Sequence, residues 1–198
     1  ELLKAVAAEN KNIVVVLSNG SVVSVAPWAG NAKGILESWL LGQAGGPALA
    51  DVIFGKVSPS GKLAQTIPMD INDDPSMINW PGEEGHVDYG EGVFVGYRYY
   101  DTYDKAVDYP FGFGLSYTTF RYSDPVYSAE KGAVSVRIRN DGETDAEEVV
   151  QAYVKPLEFD SHGLNWSLCA FGRVFLHAGE EKRVRLPIPA RAFECVTD

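Results

Sequence analysis

Ile13-Val14-Val15-Val16-Leu17 is an unbroken apolar run with four β-branched residues. A strand with one wet face alternates apolar and polar positions, whereas an unbroken run belongs to a strand covered on both faces, as in a parallel sheet between helix layers. Upstream, Leu2, Leu3, Val6 and Ala7 recur at helical spacing until Asn10-Lys11-Asn12, which predicts a helix leading into the strand. Downstream, Ser18-Asn19-Gly20 ends the strand, Val22 to Trp28 fits no single element, and Ile35 to Leu41 predicts a second buried strand. Gly45-Gly46 then opens a helix with Pro47 at its first position, where a missing N–H costs nothing. Leu49, Ala50, Ile53 and Phe54 give that helix an apolar face, and Gly55 closes it. Pro59-Ser60-Gly61 is a turn, and Lys62 to Pro68 reads as a short strand near a sheet edge because it ends in proline. Residues 1–68 are thus expected to be the C-terminal portion of an α/β domain with a mostly parallel sheet and helices. The opening Glu1-Leu2-Leu3-Lys4-Ala5-Val6 has no Met and reads as the middle of an amphipathic helix, so the polypeptide is expected to be cut from something longer.

Residues 69–117 are rich in Gly, Pro, Asp and Tyr with little periodicity. Their density of aromatic residues predicts a connector packed on both neighbouring domains rather than a disordered one. From Thr118 a period of two takes over. Val134, Val136 and Ile138 form one apolar stripe, Val150, Ala152 and Val154 a second, and Val184, Leu186 and Ile188 a third. Asn140-Asp141-Gly142 signals a hairpin, and Ala178-Gly179-Glu180 a turn. Residues 118–198 are therefore expected to form an all-β sandwich of four or five strands, about two short of seven.

The net charge of −10 and pI near 4.8 oppose binding to a phosphate backbone, so no nucleic acid is expected as a partner. No apolar run approaches 18 residues, so none spans a membrane. Cys169 and Cys195 both lie among apolar neighbours, which favours two buried thiols over a disulfide.

Gly112-Phe113-Gly114-Leu115-Ser116-Tyr117 begins like a dinucleotide-binding loop but lacks the third Gly and a following helix, so no cofactor is expected. Glu83-Glu84-Gly85-His86-Val87-Asp88 gathers three carboxylates and a His, whose default reading is a solvated loop and whose rarer one is a metal site. His162 and His177 are isolated from any nucleophile. Glycosidic hydrolysis with retention requires two carboxyl groups about 5–5.5 Å apart, but among 27 acidic residues some pair always looks suitable.

Gln43-Ala44-Gly45-Gly46-Pro47-Ala48-Leu49-Ala50-Asp51-Val52-Ile53-Phe54-Gly55, followed by Pro59-Ser60-Gly61-Lys62-Leu63 and Thr66-Ile67-Pro68, resembles the second domain of family-3 glycoside hydrolases. So do Tyr89-Gly90-Glu91-Gly92-Val93-Phe94-Val95-Gly96-Tyr97-Arg98-Tyr99-Tyr100-Asp101 and Pro110-Phe111-Gly112-Phe113-Gly114-Leu115-Ser116-Tyr117-Thr118-Thr119-Phe120. Cys169-Ala170-Phe171-Gly172-Arg173-Val174 and Ala178-Gly179-Glu180 are similar to the fibronectin type III-like domain that follows in many such enzymes.

The resemblance covers essentially the whole chain and implies an exo-acting, retaining β-glucosidase as the parent, with a β-xylosidase or another exo-β-glycosidase as the alternative. It places the Asp nucleophile on a TIM-type barrel and the Glu acid/base on a loop before the helix that begins at Glu1, both outside this sequence. No catalytic, substrate-binding or metal residue is carried over, and the fragment alone is expected to be inactive. Its partners are then the barrel and a β-glucoside or oligosaccharide substrate of the full-length enzyme.

The resemblance also suggests a buried Glu91–Arg98 ion pair and a Gly42–Gly46 stretch that tightens a strand-to-helix turn. The turns after Leu17 and Leu41 are the expected cleft-facing edge, because ligands favour the carboxyl ends of parallel strands. A reading from another class makes the sandwich a carbohydrate-binding or adhesion module, with Tyr153 and Trp166 as platforms. Open sheet edges and uncovered apolar surface predict self-association, including a homo-oligomer, or marginal stability.

Overall fold

The structure, a computed structural model, describes residues 1–157 and 163–194. The chain divides into two compact units, one made of Glu1–Ala48 and Ala64–Phe111, the other of Leu49–Leu63 and the chain from Gly112 onward.

In the first unit α1 (Leu2–Glu9) ends where Asn10 turns extended, as its Asn-Lys-Asn sequence predicts. β1 (Val14–Leu17) pairs in parallel with β2 (Gly34–Glu37), in the register Val14 opposite Gly34. The stretch between them is irregular, but it is anchored. Val25 is fully buried and its carbonyl accepts from the amides of Trp28 and Ala29, while the Ala26 amide donates to the Asp108 carboxylate. β3 (Ile67–Pro68) and β4 (Val107–Tyr109) form a short antiparallel pair, and α3 (Tyr97–Thr102) precedes β4.

Three expectations for this unit need correction. The sheet of this unit is not mostly parallel: β1/β2 is the only parallel pair among the described residues, and every other pairing is antiparallel. The unbroken apolar run of β1 is covered on one face only, since Val14 and Val16 are exposed while Val15 and Leu17 are half-buried. β2 also stops at Glu37, because Trp39 adopts φ +50° and breaks the extended run four residues earlier than its apolar pattern implies.

The chain passes to the second unit through α2 (Gly45–Ile53). Its entry is a tight turn in which the Gly45 amide bonds the Gly42 carbonyl, and a Cβ on Gly45 would sit 2.7 Å from Leu41 Cβ. Pro47 thus falls two residues inside the helix rather than at its first position, still within the first turn where its missing N–H has no intrahelical role. Gly55 at φ +74° ends the segment.

The second unit is a sandwich of two antiparallel sheets. β5 (Phe120–Ser128), β6 (Ala133–Asn140) and β9 (Glu181–Pro187) form one in the order β5-β6-β9, and β7 (Ala146–Val154) and β8 (Ser167–Leu176) form the other. The alternation seen in the sequence supplies the core. Ile138, Val150, Leu176 and Leu186 are buried, with Phe120, Val134, Val136, Ala152, Val174 and Val184 packed around them. Gly172 lets the sheets close, since a Cβ there would lie 2.8 Å from Leu186.

Asn140-Asp141-Gly142 is not a hairpin. β6 and β7 belong to different sheets, and the turn carries the chain from one to the other. Asn140 explains the crossing. Fully buried, it donates its amide to the carbonyls of Thr144 and Leu176, while its Oδ1 accepts from Thr118 Oγ1 and the Gly142 amide. A side chain that saturates four groups around a corner fixes that corner more strongly than a local turn preference does. No helix among the described residues is long and apolar enough to cross a membrane.

Candidate functional site

The carboxyl end of the parallel pair holds the most organised polar cluster of the first unit. Glu37, the last residue of β2, accepts from the Trp39 amide at 2.8 Å and from Asn19 Nδ2 at 3.3 Å. Asn19 Nδ2 also donates to the Ser21 carbonyl at 2.6 Å, which leaves Asn19 Oδ1 buried without a partner. Ser38 donates both its amide and its Oγ to the Leu17 carbonyl, and Ser18 Oγ donates to the Trp39 carbonyl. The Glu37 carboxylate therefore holds Trp39 in its left-handed conformation, a strained state that persists only when its surroundings over-determine it. The turn after Leu17 lies where the sequence puts it. Its companion is the turn after Glu37, not the one after Leu41.

Glu83 to Asp88 forms a tight exposed turn. The amides and carbonyls of Glu83 and His86 bond each other across Glu84 (φ +49°) and Gly85 (φ +80°), and all four ionisable side chains face solvent. Among the described residues no three His, Cys, Asp or Glu side chains converge to hold a metal ion.

Glu91 and Arg98 form no ion pair. Glu91 sits in a turn that closes through its carbonyl and the Phe94 amide, while Arg98 belongs to α3, beyond the left-handed Gly96. The motif around them serves packing: Tyr99 contacts Tyr100 edge-on and Tyr103 at a tilt, and Phe94 packs on Tyr103. Tyr100 is 4% exposed with its hydroxyl unpaired, and burial together with the Asp74 and Asp73 charges pushes its pKa up to about 12.

In the second unit the Pro59-Ser60-Gly61-Lys62-Leu63 motif delivers a lysine into the sandwich. Lys62 Nζ lies 3.1 Å from Glu148 Oε2 and donates to the Gly114 carbonyl at 2.9 Å; the two side chains are 15% and 10% exposed. Tyr122 donates to the other Glu148 oxygen at 2.8 Å, and burial, then that carboxylate, raises the phenol well above its ordinary pKa. Glu148 occupies a core-facing position of β7, so nothing in its apolar-polar pattern advertises the pairing.

Gly112 and Gly114 are packing glycines. A Cβ at Gly112 would meet Gln151, and one at Gly114 would meet the Gly61 carbonyl at 2.3 Å, and a strand rather than a helix follows. Of the two proposed sugar platforms, half-buried Tyr153 spends its hydroxyl on Gln151, and Trp166 lies beneath the Lys155 ammonium at 5.0 Å. Cys169 is a free, half-buried thiol that donates to the Ala152 carbonyl, with burial raising its pKa. His177 bonds Asp145 at 2.8 Å on the surface. Cys195 and His162 lie outside the described residues.

The described polar clusters organise turns, corners and packing, and no pair of carboxylates stands out as an acid and a nucleophile. Residues 1–117 match the glycosyl hydrolase family 3 C-terminal domain and residues 148–198 the fibronectin type III-like domain. The chain belongs to glycoside hydrolase family 3. It is 66% identical over 196 residues to an exo-α-(1→6)-L-arabinopyranosidase of Bifidobacterium longum, covering 97% of this chain and 26% of that protein. It is 48% identical over 200 residues to a thermostable β-glucosidase B of Acetivibrio thermocellus, again covering 97% and 26%. A crystal structure of a family-3 β-glucosidase from Bifidobacterium adolescentis superposes with a TM-score of 0.92 at 71% identity, over 97% of this chain and 29% of that one. The chain thus spans about a quarter of the length of the curated relatives it matches.

Proposed function

We propose that the chain is the non-catalytic C-terminal portion of a retaining, exo-acting β-glucosidase that removes terminal β-D-glucosyl residues. The observation that carries the reading is the paired match to the family-3 C-terminal domain and the fibronectin type III-like domain, with family-3 β-glucosidases aligned over nearly the whole chain.

In the whole enzyme, the barrel supplies an Asp that attacks the anomeric carbon. A Glu on the loop before α1 protonates the leaving oxygen and then activates water, so configuration is retained. The contribution of this chain is positional. α1, β1 and β2 seat the acid/base loop, and the Asn19–Glu37–Trp39 cluster holds the carboxyl end of the strand pair, where an α/β sheet presents ligands. The barrel is the partner of the first unit.

A second specificity has its own support, because one relative with 66% identity is an arabinopyranosidase. An α-L-arabinopyranoside and a β-D-glucoside share an equatorial bond at the anomeric carbon, so one carboxylate pair serves both. The test is the ratio of kcat/KM for aryl β-D-glucoside and aryl α-L-arabinopyranoside in the full-length protein, with the first-formed anomer read by proton NMR. A ratio favouring glucoside with retention supports the proposal. Preference for the arabinoside moves it to the second specificity, and inversion or inactivity on both refutes it.

A further inference from the structure

The outer face of the β5-β6-β9 sheet carries an unusual charge for this chain. In register across the three strands, Arg121 lies opposite Arg139, Arg137 opposite Arg183, and Ser135 opposite Arg185. All five arginines are exposed, and they point away from the sandwich core because the alternate positions Val134, Val136, Ile138, Val184 and Leu186 point into it. Three carboxylates share the face. Asp141 bridges Arg121 and Arg139, while Asp124 and Glu181 both pair with Arg137. Five arginines against three carboxylates leave a surplus of two positive charges on a chain whose net charge is −10.

The surplus is localised. Arg183 and Arg185 have no carboxylate partner among the described residues. Arg183 Nη1 donates to Ser135 Oγ and Arg185 Nη2 to the Lys131 carbonyl, both at 3.3 Å, long and neutral contacts that leave most of each guanidinium unused. The two sit two residues apart on one strand, so their side chains emerge on the same side roughly 7 Å apart.

We propose that this face docks a carboxylate-bearing polysaccharide, a uronate polymer, through Arg183 and Arg185. Guanidinium forks match planar carboxylates bidentately, and a flat sheet face accepts an extended chain. The arginine face stands independently of the hydrolase reading; the choice of a polysaccharide rests on it. Duplex nucleic acid fits less well, since its charge of about one per 1.7 Å would be pressed against a chain otherwise strongly negative. A second copy would have to offer a different, acidic surface, because two copies of this face repel each other in an isologous contact.

The test is binding of the full-length protein to immobilised polygalacturonate, with neutral amylose and duplex DNA as parallel ligands, at low and 0.5 M NaCl. We expect saturable binding to polygalacturonate alone, lost at high salt. Arg183→Gln with Arg185→Gln should raise Kd at least about tenfold. Lys4→Gln with Lys33→Gln, which removes the same charge elsewhere, should leave Kd unchanged. Ser135→Glu, which adds a carboxylate to the intact face, should weaken binding as well, which keeps the test valid if the arginine variant misfolds.

No binding to polygalacturonate, tighter binding to DNA, or equal loss in the lysine variant would overturn the proposal. So would an oligomer by light scattering that the arginine variant dissolves, which would make the occupant a second copy. Binding is scored without hydrolysis, so its failure in an active full-length enzyme defeats this proposal alone, and an inactive parent that still binds polygalacturonate defeats the hydrolase reading alone.

Discussion

Removing Glu148 tests how the second unit is held together. Glu148→Ala leaves Lys62, whose side chain is 15% exposed, with only the Gly114 carbonyl, and strips Tyr122 of its acceptor. Breaking one partner of a buried ion pair costs about 3–5 kcal/mol, because the remaining charge keeps its desolvation penalty. The orphaned Tyr122 hydroxyl adds up to about 1 kcal/mol. For a chain of this size each kcal/mol shifts Tm by roughly 2–4 °C, so the midpoint should fall by about 6–24 °C.

The double variant Lys62→Met, Glu148→Leu replaces both charges by apolar groups of similar volume and should recover most of the loss. Thermal and urea unfolding followed by circular dichroism measure all three variants. A Glu148→Ala midpoint within about 1 °C of the parent chain would refute the reasoning. So would a double variant as unstable as the single.

Asn140→Ala should destabilise by about 3 kcal/mol or more, since it abandons four hydrogen-bonding groups at the sheet-to-sheet corner; urea unfolding measures it. Glu91→Ala should change stability by less than about 1 kcal/mol, in contrast to the loss a buried Glu91–Arg98 pair would bring. Tyr100 is protonated in the folded chain up to about pH 12 but ionises near 10 when unfolded, so the folded state holds the extra proton between them. Stability should therefore fall as pH rises from about 10 to about 12, and Tyr100→Phe, which loses no hydrogen bond, should flatten that fall in alkaline melts. Exposed Leu2, Val14, Val16, Leu40 and Phe54 should drive the isolated chain to self-associate, read by sedimentation velocity, and a clean monomer melting above ~65 °C would contradict this.

The sandwich was legible because its strands have one wet face. The stripes through Val134, Val150 and Val184 contain Ile138, Val150 and Leu186 of the core, while its fourth member, Leu176, lies in none of them. Its connectivity was not, because Asn-Asp-Gly encodes a local preference while the partners of Asn140 come from Thr118, Thr144 and Leu176. The first unit was less legible. An unbroken apolar run reports what a strand could bury, and Val14 and Val16 remain exposed.

The family resemblance was carried by ordered motifs rather than by any reactive residue, so the class of protein could be read where a site could not. Lys62 reads in the sequence as the start of a short edge strand, and only the fold brings Glu148 to it. Asn19 sits just past the apolar run that ends at Leu17, where the expected carboxyl edge of a parallel pair points, whereas Glu37 lies inside the stretch read as one strand to Leu41 and gave no such signal.

The most direct measurement is hydrolysis of an aryl β-glucoside at pH 5–7 by the purified 198-residue chain beside the full-length protein. The account predicts an active full-length enzyme and no turnover by the chain. Turnover by the chain alone would mean that a working carboxylate pair lies within it, with Glu83, Glu84 and Glu91 the first to replace, and would contradict the account.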